Sequence, residues 1–337
     1  MRCSAVTVDI APTSARSVAT IYNSAVAAFA IAAAWEVGAL EELYRERTLD
    51  TAEFADRNSL DALSTNGLFR AMASVGLVHR EGATVTPLPG FDAVYHNKSF
   101  FHWLGRGSAE LFQQIPRVLR NEQRTGAYYR RDPAAIAFAC REIDDITYAP
   151  AYRGAIDRLD FPVTRVADLG CGSGGRLMDL LRRFPDSTGT GVDIAAPSLE
   201  VARKEAADAG LSDRSEFVQG DVLRLEPRPE FADIELVTCF MMGHDFWPRE
   251  NCVATLRRLR EVFPSARRLL IGDATRTALP DTELPVFTLG FELGHDLMGT
   301  FLPTVDDWQS VFAEGGWELV RTNRIELTVG EVIFELA

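Results

Sequence analysis

The sequence predicts an α/β protein: a doubly wound, largely parallel sheet preceded by a smaller helical part. Three observations carry that expectation. Beyond Phe161, strand-like and helix-like segments alternate, which is how parallel strands joined by crossover helices read. Before about residue 160 the periodicity is mainly helical. A glycine-rich turn sits between the first strand of the second half and the helix that follows it. With 337 residues the chain is long enough for about two domains. A 47% hydrophobic and 25% charged composition places it among globular chains rather than disordered or fibrous ones.

In the front part, residues 14–43 form an alanine-rich pattern that is apolar all round. Such a helix needs cover on every side, and a second copy of the chain is the expected cover. Helices follow at 51–58, with Thr51 as N-cap, and at 61–75. Residues 77–80 and 84–86 read as two short strands about Glu81-Gly82. Three helices and a hairpin suggest a winged-helix module. In the second half, strands are expected at 165–169, 189–193, 216–219, 234–240 and 268–272, with helices at 174–184, 198–210 and 249–263. A helix at 305–314 and two strands about Thr328-Val329-Gly330 end the chain. The expected domains are 1–105 for dimerisation, 106–160 as a helical connector contributing to a substrate pocket, and 161–337 for the sheet.

Charge excludes some partners. Acidic residues outnumber basic ones 48 to 35, a net charge of −13, which disfavours nucleic acid and anionic membrane. Residues 1–100 hold 8 basic and 11 acidic residues, and the third helix offers only Arg70, so the winged helix is expected to dimerise rather than read DNA. No basic start leads into an apolar run, and the longest continuous apolar stretch, 25–35, is too short to span a bilayer, so a cytoplasmic protein is expected. Cys3, Cys140, Cys171, Cys239 and Cys252 are scattered and form no CxxC, which suits reduced thiols.

The chemistry concentrates in Val166-Ala167-Asp168-Leu169-Gly170-Cys171-Gly172-Ser173-Gly174-Gly175. Its spacing is GxGxG rather than the GxGxxG of nicotinamide sites. Asp168 precedes the first glycine. A neutral backbone cradle with an acid beside it suits a cationic ligand without phosphate, and S-adenosylmethionine is one. Asp168, Gly170, Gly172 and Gly174 would cradle it. Asp193, ending the next strand, would take the ribose hydroxyls, and Gly220-Asp221-Val222 the adenine edge.

With its helical front, this loop and His244-Asp245-Phe246-Trp247, nearly the whole chain resembles the dimeric small-molecule O-methyltransferase-like enzymes that use S-adenosylmethionine. The resemblance implies a Rossmann-like, seven-stranded methyltransferase domain with a terminal antiparallel hairpin. In many of those enzymes the histidine is the base that deprotonates a phenol without a metal, which is one reading here. The segments 241–251 and 291–296 resemble more specifically the 2-oxo acid C-methyltransferases. That likeness implies a non-haem metal, iron before zinc, on His244, Asp245 and His295. It also implies methylation of the β-carbon of a 2-oxo acid such as phenylpyruvate or 4-methyl-2-oxopentanoate, for a peptide natural product. Spacing alone leaves His244 as a lone base and His295 as a pocket or core histidine. Arg130 or Arg131 could meet the substrate carboxylate, and the resemblance favours Arg131; Trp103, which matches a pocket position in the resembled family, with Met241, Phe287 and Phe291 would line an apolar pocket. Asp296 is read as a support for His295 or a helix cap, and His79, His96 and His102 as structural or exposed.

Overall fold

Residues 12–277, 287–325 and 330–337 are described by the structure, a computed structural model, with side-chain surroundings from Ser17 onward. The chain divides into two units, Met1–Asp144 and Asp145–Ala337. The division differs from the expected boundaries at 105 and 160, because the helix Pro133–Ile143 packs within the first unit and Ala149–Asp157 within the second.

In the first unit the long apolar pattern is two helices, Pro12–Glu36 and Ala39–Glu46. They are separated by Gly38 at φ +78°, a left-handed angle that ends the first helix. Ile31, Trp35, Leu40, Leu43, Phe54, Phe69, Met72 and Phe91 share a core. Strand β1 (Leu49–Asp50) leads into the helix Thr51–Arg57, whose cap is Asp50 rather than Thr51. The Asp50 carboxylate accepts from the backbone N–H groups of Ala52 and Glu53 at 2.9 and 3.0 Å. After the helix Ala62–Ser74 come β2 (Val78–Glu81) and β3 (Thr84–Pro87), antiparallel, with β1 on the far side of β3.

One face of the long helix is left open by the described residues: Ile21 and Tyr22 are 73% and 71% exposed, and Phe29 51%. Its stretch Ser17–Glu36, with mean hydropathy 1.5, is long and apolar enough to cross a membrane by those two criteria, and 28% of it is buried here. The expectation of no such stretch counted only an unbroken apolar run; Thr20, Asn23 and Ser24 interrupt it without adding charge.

In the second unit seven strands run in the order β6-β5-β4-β7-β8-β10-β9, with β4 (Arg165–Leu169), β5 (Thr188–Asp193), β6 (Ser215–Gln219), β7 (Leu236–Phe240), β8 (Arg268–Ala274), β9 (Leu319–Ile325) and β10 (Glu331–Leu336). The first five are parallel, and β10 is antiparallel to both β8 and β9. Alternate residues feed two cores. Val166, Leu236, Leu270 and Ile333 face the helices Ala149–Asp157, Gly175–Arg183 and Ala196–Asp208. Ala167, Val237, Leu269 and Val332 face the helices Arg249–Val262 and Val305–Phe312. Strands buried on both faces are apolar at most positions, which is why β4, β7 and β8 read as largely apolar runs. The hairpin strands are those expected; residues 326–329 of its turn, and Cys3, lie outside the described residues.

Candidate active site

Parallel strands aim their carboxyl ends at one edge of the sheet, and the chemistry-bearing turns follow the ends of β4, β5, β6, β7 and β8 there. After β4 the loop 170–174 holds Gly170, Gly172 and Gly174 at φ +68°, +52° and +79°. The Met242 side chain packs against Gly170, its sulfur where a Cβ would stand, so the turn after β7 touches the turn after β4. Asp193 braces the loop: one carboxylate oxygen accepts from Gly172 N and the other from Ala195 N, each at 2.8 Å. Each oxygen keeps a second lone pair, so this bracing is compatible with ribose hydroxyls. Asp221 accepts from Leu223 N at 3.0 Å, and Val222 is buried in the core. Asp168, buried at the end of β4, accepts from the Thr238 hydroxyl at 2.6 Å.

After β7, Met241 stands at φ +55°, an uncommon angle for a side-chain-bearing residue, and a 3₁₀ turn Gly243–Phe246 follows. That turn carries His244. Its Nδ1 lies 2.8 Å from an oxygen of Asp273, which is fully buried at the end of β8 and also accepts from Ala274 N at 2.9 Å. The carboxylate only accepts, so Nδ1 carries the proton and Nε2 is the basic nitrogen. Asp273 escaped the sequence reading, which ended that strand at Gly272. The signal was an acid directly after Leu269-Leu270-Ile271-Gly272, where burial demands a partner.

His295 was expected on a loop and stands on a helix, Thr288–Met298. Phe287, Phe291 and His295 lie four residues apart along it, with ring centroids at 5.6 and 4.1 Å. Its Nδ1 donates to the Phe291 carbonyl at 2.8 Å. The rings of His244 and His295 meet with centroids 5.1 Å apart at 88°, and Phe291 lies 6.4 Å from His244. Arg276 holds this helix, reaching Asp296 at 2.5 Å and Glu292 at 3.5 Å, so Asp296 pairs with that arginine.

Asp245 does not join the two histidines. Successive residues of a 3₁₀ turn point about 120° apart, and Asp245 is exposed while His244 is largely covered. Among the described residues no three His, Cys, Asp or Glu side chains come close enough together to hold a metal ion. The three-ligand set of His244, Asp245 and His295 does not form. Trp103 and Arg131 belong to the first unit. Trp103 is 3% exposed in the π-helical turn Trp103–Gly107, and Arg131 is half-buried before the Asp132 cap of the helix Pro133–Ile143, beside an exposed Arg130. His102 is buried, which holds its imidazole below the usual range. Burial also raises the thiols of Cys171 and Cys239 well above theirs.

A family model described as a methyltransferase domain matches residues 166–264, the span from β4 through the helix after β7. Methyltransferase ungE' of Aspergillus campestris (strain IBT 28561) is 50% identical over 327 residues, covering 94% of this chain and 96% of that one. The chain is an S-adenosylmethionine-dependent methyltransferase. Two more distant relatives of this methyltransferase are informative. An indolepyruvate C-methyltransferase of Streptomyces griseus is 29% identical, over 93% of this chain and 92% of its own. A 2-ketoarginine methyltransferase of Streptomyces arginensis is 30% identical, over 79% and 77%. The solved structure of mitomycin 7-O-methyltransferase MmcR superimposes with a TM-score of 0.72 over 96% of this chain and 97% of that one; at 21% identity it speaks for the fold.

Proposed function

We propose that this methyltransferase places the methyl group of S-adenosylmethionine on the β-carbon of a 2-oxo acid. The observation that carries the proposal is the His244–Asp273 pair, with His244 on the turn that touches Gly170 of the glycine loop through Met242 and Asp273 at the end of β8. Support comes from the two distant relatives whose names state a 2-oxo acid, one of them with transfer to carbon. The β-carbon of such an acid becomes a nucleophile on losing a proton. In this reading Nε2 of His244 takes that proton, and Asp273 stabilises the imidazolium that forms. The C–H electron pair passes into the enolate. The enolate carbon then bonds to the sulfonium methyl as the methyl–sulfur bond breaks, its electron pair staying on sulfur, and the proton leaves His244 for water. Phe287, Phe291 and Met241 form the apolar side of the acceptor site in this reading.

A metal-assisted version has one specific observation in its favour. Nδ1 of both histidines is engaged, by Asp273 and by the Phe291 carbonyl, which is how proteins orient metal-binding imidazoles. His244 and His295 would hold the ion, and bound there it would supply Lewis-acid stabilisation of the enolate. Phenol O-methylation with His244 as base uses the same pair on a different acceptor. Transfer of labelled methyl from S-adenosylmethionine to a panel of aryl and branched 2-oxo acids beside simple phenols tests the proposal. Turnover on the 2-oxo acids is expected; turnover confined to phenols would refute it.

A further inference from the structure

The helix Thr288–Met298 carries Phe291 and His295 one turn apart, and the residue after each is an acid, Glu292 and Asp296. Successive helical residues point about 100° apart, so the two acids form a second stripe beside the one that meets His244. The chain leaving β8 grips that second stripe. Arg276, three residues beyond Asp273, sets Nη2 at 2.5 Å from an Asp296 oxygen and Nη1 at 3.5 Å from Glu292 Oε2. The backbone N–H and the hydroxyl of Thr277 donate to Glu292 Oε1 at 2.8 and 3.2 Å. The backbone N–H of Arg276 donates to the Pro303 carbonyl at 2.9 Å, in the segment that follows the helix.

Two anchors one turn apart hold a helix against both rotation and sliding, which a single ion pair does not. A lone exposed pair would add little. Here the Glu292 side chain is 16% exposed and is reached from two consecutive residues. The helix needs such support, because Gly290 and Gly294 lower its own propensity. One strand end therefore serves both histidines. Asp273 holds His244 at 2.8 Å, and Arg276 holds the helix whose His295 ring lies 5.1 Å from that of His244. We infer that Arg276 is a positioning residue for the methyl acceptor, acting through Glu292 and Asp296 to hold Phe291 and His295 against His244. The inference deepens the proposed function and rests on its reading of Phe291 as a wall of the acceptor site. Misplacing a reacting group by about 1 Å can cost about 100-fold in rate, so a clamp outside the chemistry still governs it.

The test uses the full-length enzyme with its histidines carrying carbon-13 at ring Cε1. The chain has five histidines, and His79, His96 and His102 lie in the first unit, where they report folding. In Arg276→Gln, observed by NMR without acceptor, the His244 and His295 signals should shift while the other three stay. Methyl transfer to the best acceptor should lose about tenfold or more in kcat/KM, with cofactor affinity within about twofold of wild type. The double variant Glu292→Gln with Asp296→Asn should lose as much, and adding Arg276→Gln should cost nothing further, because the three groups act as one unit. Arg276→Lys, a single cation without the planar fork, should recover only part of the loss. Unmoved His244 and His295 signals overturn the inference. So does a further loss of about tenfold when Arg276→Gln joins the two acid replacements, which would put the guanidinium on the acceptor itself. A lowered melting temperature with normal kinetics also overturns it. Where Arg276→Gln fails to fold, Asp296→Asn, on the exposed arm of the clamp, carries the comparison, and unmoved signals there overturn the inference as well. Turnover confined to phenols would refute the 2-oxo acid reading, while the histidine signals decide the clamp whichever acceptor is used.

Discussion

Replacing Asp273 by asparagine keeps the shape of the side chain and removes its charge, so the change isolates what the carboxylate does for His244. In the native arrangement the two groups are 2.8 Å apart, and the carboxylate is screened from water at the end of β8. When His244 takes a proton, an imidazolium faces that carboxylate. Unit charges about 4 Å apart interact by about 4 kcal/mol at an effective dielectric of about 20, which is a ceiling. Measured charge-assisted hydrogen bonds contribute about 1.5–3 kcal/mol, and the smaller range governs because an amide oxygen can still accept from Nδ1. The expected loss in kcat is about 10- to 150-fold. The dyad is not on the glycine loop, so cofactor affinity should stay within about twofold. The assay is initial-rate methyl transfer to the best 2-oxo acid, beside a thermal melt to confirm folding. Exchange of the β-hydrogen in deuterated water, with S-adenosylhomocysteine in place of cofactor, follows the proton step by itself. A kcat within about twofold of wild type, with exchange undiminished, would refute the reasoning.

Four other outcomes are expected. Asp193→Ala removes the acceptor that braces Gly172 and Ala195 and is assigned to the ribose, and should weaken S-adenosylmethionine by roughly 1.5–3 kcal/mol in calorimetry; unchanged affinity would reject the assignment. In the metal-assisted version His295→Ala should remove turnover and the bound metal together while sparing cofactor affinity, since His295 packs against His244 and Phe291; normal turnover with unchanged metal content would reject that version. The exposed Ile21, Tyr22 and Phe29 face should join two copies, so light scattering at micromolar protein should report a dimer and Ile21→Glu with Tyr22→Glu a monomer; a monomeric wild type would contradict this. Burial pushes Cys140 up to about 11 and Cys252 up to about 12, so both stay neutral thiols in the folded state. Their contribution to stability is complete below the ordinary thiol value and fades as pH rises toward those figures; native protein at pH 8 should resist iodoacetamide at Cys252, and rapid alkylation there would be the contrary result.

The sheet was legible because its central strands are buried on both faces. Residues 165–169, for instance, offer a continuous apolar run broken only by Arg165 at the start and by Asp168, and the strand falls on those residues. The glycine loop was legible because a backbone cradle leaves a spacing in the sequence. Two features were not. The helix Thr288–Met298 holds Gly290 and Gly294, which lower helix propensity, so its stripe of Phe291 and His295 read as a loop. Gly299 at φ +74° was the available stop signal. Asp273 was hidden for a different reason: its role is a contact between the ends of two neighbouring strands, and sequence distance carries no mark of that. Asp245 entered the ligand set through the resemblance alone; adjacency to His244 argued against it, and the 3₁₀ turn sends the two side chains apart.

The central claim is that the methyl group goes to the carbon beside the ketone. The most direct measurement is carbon-13 NMR of the product made from phenylpyruvate and S-adenosylmethionine labelled in its methyl group, with the β-hydrogens of the acceptor replaced by deuterium. The account predicts a labelled methyl bonded to the β-carbon and the loss of one deuterium for each methyl transferred. A labelled methyl bonded to oxygen would contradict it.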